Sequence, residues 1–165
     1  MNAILKSCLI AAALCAQAVF AQSPAVTSTL VAKKVETVAG KTVLKPAEAG
    51  KPGDVIEYSG VYQNNGGKAV EKLVATIPVP PGTTFLAGST DPARAQASTD
   101  GTAYAPMPLV RNVRQPDGSM RQEPVPLSEY RFVRWEIGSL APAANATVRL
   151  RVQIDSVAAP VVGKP

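Results

Sequence analysis

The chain contains no histidine, and its only cysteines, Cys8 and Cys15, stand near the start. Without histidine the commonest general base and the commonest metal ligand are both missing. Thiol catalysis, Ser-His-Asp triads and transition-metal sites built on His or Cys are excluded once the two cysteines are lost with the segment that carries them. Aromatic residues are few, with Trp135 the single tryptophan. Beyond the first 20 residues no apolar run is long enough to cross a bilayer. Charge of one sign is not blocked together either. The net charge is +5, yet acidic and basic residues are dispersed, with every arginine from Arg94 onward and most lysines before it.

What is present begins with a targeting pattern. Lys6 supplies a positive n-region, residues 8–18 an apolar stretch of h-region length, and Val19 and Ala21 the small or aliphatic residues of a cleavage site before Gln22. Residues 1–21 are therefore expected to be a signal peptide, and the protein periplasmic or secreted. Leu14 stands where a lipoprotein needs a small residue just before Cys15, which speaks against lipid attachment. An exported chain whose cysteines leave with its signal must hold together by core packing without disulfides.

Short alternating runs separated by turn chemistry fill the rest. Residues 22–29 read as a loose lead-in. Strands are expected at 30–35 and 42–44, turned at Gly40, and again at 54–64, where Ile56, Tyr58 and Tyr62 share one face with Gly60. Gly60 leaves room on that face, and Trp135 is the candidate to fill it. The run Asn64-Asn65-Gly66-Gly67 is a reversal, since Asn and Gly accept positive φ. A strand follows at 69–79 until Pro78, Pro80 and Pro81 stop it, and another restarts through Phe85. Residues 89–108 read as a long loop with one short edge strand. Residues 109–114 and 120–125 form the arms of a hairpin closed at Pro116-Asp117-Gly118. The last strands, 130–137 and 147–154, carry Trp135 and an inward row of Val148, Leu150, Val152 and Ile154. Residues 157–165 have no period and read as a tail. About eight short strands without a helical period argue for an all-β sandwich in one domain, residues 22–156.

The order of these marks resembles a known pattern. Gly53-Asp54-Val55-Ile56-Glu57-Tyr58, the Asn64-Asn65-Gly66 turn, Val79-Pro80-Pro81-Gly82-Thr83-Thr84-Phe85 and Trp135-Glu136-Ile137-Gly138-Ser139-Leu140-Ala141-Pro142 are similar to the DUF11 family, a repeat domain of bacterial exported and cell-surface proteins. The resemblance spans residues 30–154. It implies an immunoglobulin-like antiparallel β-sandwich, present here as a single copy. Three departures stand out: Ile77 where the family has an aspartate, Ala143 where it has a glycine, and a longer span between Phe85 and Trp135. The last makes the 109–125 hairpin an elaboration of the scaffold.

Candidate chemistry is sparse. Trp135 with Tyr58 and Tyr62 reads as core rather than as a sugar-stacking platform, because Trp135 alternates with inward residues. The densest basic cluster is Arg111, Arg114, Arg121, Arg131 and Arg134. It is either a face for anionic polymers or a set of solvated positions paired with Glu123, Glu129 and Glu136. The modest net charge and the lack of interleaved aromatics favour the second and argue against nucleic acid. Arg111, Arg114 and Arg121 of the hairpin are the candidate partner contacts. Asp54, Asp91, Asp100, Asp117 and Asp155 sit near turns, without the Asp-x-Asp spacing of a calcium loop. No catalytic pair, cofactor motif or metal ligand set stands out. Asn145-Ala146-Thr147 matches a glycosylation sequon at a strand entry. The sequence thus points to a non-enzymatic envelope module binding another envelope protein or a surface polymer. The alternative is a carbohydrate-binding module using Tyr104 and Tyr130.

Overall fold

A computed structural model describes residues 25–156; the expected signal peptide and the 157–165 tail lie outside the described residues. Of eleven strands, nine form an immunoglobulin-like antiparallel β-sandwich. The first layer contains β1 (Val26–Val38), β2 (Lys41–Pro46), β3 (Val55–Asn64), β5 (Thr83–Phe85) and β11 (Asn145–Ile154), in the order β2-β1-β3-β11-β5. The second contains β4 (Val70–Pro78), β6 (Gln96–Ser98), β7 (Ala105–Pro106) and β10 (Phe132–Leu140), in the order β4-β10-β6-β7. The remaining pair, β8 (Val110–Arg114) and β9 (Met120–Pro124), is a separate two-stranded hairpin. Among the described residues no helix is long and apolar enough to cross a membrane.

Pleat and register place the core. In the first layer Gly60 lies beside Val148, Tyr58 beside Leu150, and Ile56 beside Val152, which in turn neighbours Phe85. In the second layer Trp135 lies opposite Ala75, and Val133 sits between Ile77 and Ala97. These inward faces supply most of one buried cluster. The small Ala75 makes room for the indole across the ladder, and Trp135 is only 2% exposed. Its Nε1–H donates to the Pro92 carbonyl at 2.8 Å. The indole therefore reaches the loop between β5 and β6, and the side chains nearest to Gly60 are others. Tyr62, Val148 and Ile77 close in there, each within 3.6 Å of where a Cβ would stand.

Other expectations change. The lead-in is strand from Val26, because β1 pairs with β3 out to Val26↔Asn64. The 89–108 loop holds two short strands, and β6 is interior, lying between β10 and β7. The last ladder before the C-terminal strand begins at Phe132. Tyr130 precedes it, after a 3-10 turn (Leu127–Glu129), and is completely buried. Its ring stacks on Phe85 with centroids 5.6 Å apart.

Turns behave as their residues dictate. Ala39 and Gly40 both have positive φ, as a two-residue hairpin between strands of right-handed twist requires. Ala143 is also left-handed, at φ 58. A side chain there meets its own backbone, costing about 1–2 kcal/mol relative to glycine. Ala143→Gly is accordingly expected to raise stability by about 1 kcal/mol, read as a higher urea midpoint at unchanged slope.

Each sheet border carries a device that discourages pairing. β2 has Lys41, Lys45 and Pro46 on its outer rim. β5 is three residues long, and β7 is two residues including Pro106. On β4 the register slips near Gly138, and Lys72 takes φ 54. The Tyr62 hydroxyl also donates to the Thr76 carbonyl at 3.3 Å and accepts from the Thr76 N–H at 3.1 Å. One phenol thereby occupies both backbone groups of a border residue.

Candidate functional site

Three surfaces carry side chains that the fold does not consume. The first is the β8–β9 hairpin. Its root is buried: Val125 N–H donates to the Leu109 carbonyl at 2.9 Å, and Leu109 N–H donates to the Tyr130 hydroxyl at 2.7 Å. The arms project from this anchor. Cross-strand partners share a face, so Arg111 and Glu123 lie with Val113 and Arg121, whereas Arg114 lies with Met120 on the other side. The three candidate contacts are therefore not one cluster. Arg111 is bound to Glu129 at 2.8 Å, while Arg114 and Arg121 are exposed on opposite faces. The face with Arg114 also bears Val110 and Met120, 56% and 63% exposed.

The second surface is the β1–β2 ribbon. Most of β1 and all of β2 are open to solvent. Leu30 shares the inward side with Gly60, yet it is half exposed because the facing sheet does not extend over it. Charges hold the middle of that side: Lys34 lies 3.0 Å from Asp54, and Lys45 2.6 Å from Glu36. A hydrogen bond from Lys45 holds the Glu36 carboxyl below its ordinary value, and the Asp54 partnership raises the Lys34 ammonium. The opposite side presents Val31 and Leu44.

The third surface is the outward face of the second layer. Arg134 projects from β10 between Thr76 of β4 and Gln96 of β6. Its guanidinium lies 3.9 Å from the Tyr104 ring centroid. Nε donates to Gln96 Oε1 at 3.2 Å, and Nη2 donates to the same oxygen. A groove of about 460 Å³ opens beside it, lined by Arg94, Ala95, Gln96, Pro106, Arg134 and Glu136. Nothing along the chain signals this grouping, since Gln96 and Tyr104 fall in a stretch without period. Arg134 was legible only as one more arginine. Of the two tyrosines proposed for sugar stacking, Tyr130 is unavailable because it is a core residue, and Tyr104 carries Arg134 on one face.

Several further charged residues are structural. Glu57, although on the outer side of β3, is buried beneath Arg151, whose Nε donates to it at 2.9 Å. Asp91 pairs with Arg149 at 2.6 Å, and Asp155 accepts from the Thr84 hydroxyl. The backbone N–H groups of Thr102 and Ala103, with the Thr102 and Ser98 hydroxyls, hold the Asp100 carboxyl far below its usual range. Lys51 N–H and the Lys34 ammonium lower Asp54, and Ser119 lowers Asp117. These aspartates are turn-formers. The Asn145 sequon opens β11 at an exposed position.

No family model matches the chain, and neither a curated protein nor a solved structure matches it.

Proposed function

We propose that the chain is a non-enzymatic module of the bacterial envelope, periplasmic or secreted, that binds another envelope protein through the β1–β2 ribbon. The overhang carries this reading. Val31 and Leu44 lie together on the outer side of the ribbon, 39% and 40% exposed, and line one groove with Pro46 and Ala47, whereas Leu30, Val38 and Val43 are exposed on its other side. Grouped apolar exposure of this kind marks a surface that a partner buries. The blocked borders make face-to-face packing the mode, rather than addition of a partner's strand. The resemblance to exported surface domains supports the same compartment and the same class of role.

A second reading favours the hairpin, on the observation that Val110, Met120 and Arg114 share one exposed face. Methionine and arginine are enriched in interfaces. Chemical crosslinking and pulldown from intact cells separates the two. The Val31→Ser/Leu44→Ser double variant should remain folded and lose the partner captured by the wild type. Deleting residues 111–122 should also leave the domain folded, because the Leu109–Val125 root stays. Partner loss with that deletion alone would move the contact to the hairpin. Retention by both variants would end the interaction reading at these surfaces.

A further inference from the structure

Arg134 differs from the other arginines of the sandwich strands. Arg149 and Arg151 each face a carboxylate, as does Arg111 of the hairpin. Arg134 has no ion pair among the described residues; its protein partners are an aromatic ring and an amide oxygen. Gln96 occupies the edge made by Nε and Nη2, and Tyr104 one face. The distal edge, Nη1 with the second Nη2 hydrogen, has no protein acceptor among the described residues. That edge is one of the forks whose geometry matches a carboxylate with two parallel hydrogen bonds. Stacking and the Gln96 contact fix the group in advance, so less side-chain freedom is lost when a ligand arrives.

The surroundings narrow the ligand. Arg94 lines the same groove as a second cation, Pro106 and Ala95 supply apolar wall, and Gln96 and Glu136 supply acceptors. The volume of about 460 Å³ falls within the roughly 300–1,000 Å³ typical of small-ligand clefts. We infer that this groove binds a carboxylated sugar, a uronic acid unit of an acidic glycan. Its carboxylate sits on the distal edge of Arg134, with Arg94 beside it. Its ring lies along Pro106, and its hydroxyls donate to Glu136. Glu136 narrows the choice: its carboxylate opposes any anion, and a sugar acid offsets this by donating hydroxyl hydrogen bonds to it, which a run of acidic side chains does not. This surface lies on the layer away from the ribbon and does not depend on the protein-binding reading.

Isothermal titration calorimetry of the full chain tests it, using tetragalacturonate, neutral galactotetraose, tetra-aspartate and inorganic phosphate as probes. Tetragalacturonate is expected to bind and the neutral tetrasaccharide not to. Arg134→Lys keeps the charge but loses the planar fork and should weaken binding about tenfold. Arg94→Ala, at an exposed position, should weaken it severalfold, and it serves as the test if the Arg134 variant melts early. Glu136→Ala should weaken tetragalacturonate while strengthening tetra-aspartate. The inference is overturned by equal binding of acidic and neutral sugars, by phosphate or tetra-aspartate binding as tightly as the uronate, by unchanged affinity in Arg134→Lys and Arg94→Ala, or by no heat with any probe.

Discussion

Asn64→Ala is expected to destabilise the domain by about 3–4 kcal/mol. Asn64 ends β3 fully buried. Its Nδ2 donates to the carbonyls of Lys68 at 2.8 Å, Leu140 at 2.9 Å and Ala141 at 3.2 Å, and its Oδ1 accepts from Gly66 N–H at 2.9 Å. The backbone of the same residue exchanges hydrogen bonds with Ala143 and Ala144. One side chain thus ties the β3–β4 turn to the β10–β11 turn, which arrive from far apart in sequence. Alanine leaves the carbonyls without their donor, and each buried group so orphaned costs about 1–3 kcal/mol. Urea unfolding followed by tryptophan fluorescence measures the loss. A change below about 1 kcal/mol would mean that water replaces the amide.

Trp135→Ala should cost a similar amount, about 3–5 kcal/mol, by a different route. The indole fills the space opposite Ala75, and its removal opens a cavity that a sheet ladder cannot close by collapse. Its bond to the Pro92 carbonyl is also lost, which frees the loop leading into β6. Trp135→Phe separates the two contributions, retaining much of the packing while deleting the donor. It is expected to cost about half as much as alanine, with hydrogen exchange showing the β5–β6 loop loosened more than the inward strands. Equal losses in the two variants would assign the whole effect to the hydrogen bond.

Much of this architecture was legible because local chemistry and long-range packing agree. Asn64-Asn65-Gly66, Gly40 and Pro116-Asp117-Gly118 reverse the chain where their conformational preferences say. Val148, Leu150 and Val152 keep one phase across their strand and are completely buried. Legibility fails where period two has no ladder to act on. Strict alternation through 130–137 would put Tyr130 on the side of Phe132 and Arg134, but the 3-10 turn before it rotates the backbone, and the ring enters the core. Residues 26–29 looked structureless because neither side of that part of β1 is covered, so no alternation was imposed on it. The hairpin arginines appeared as a group because sequence proximity says nothing of pleat parity. The groove at Arg134 was invisible for the same reason that it is interesting: its members come from three segments that meet only in the folded sheet.

The arrangement around β3 also governs how the domain would carry tension. β1 and β11 flank β3 and run parallel to each other, each antiparallel to it. A pull applied at Val26 and Ile154 therefore acts along the strands, at opposite ends of the sheet. The backbone bonds of the two long ladders are then loaded in shear, many at once, instead of being unzipped one after another. A tethered molecule built this way resists stretching by its connectivity, whatever it holds on its surfaces.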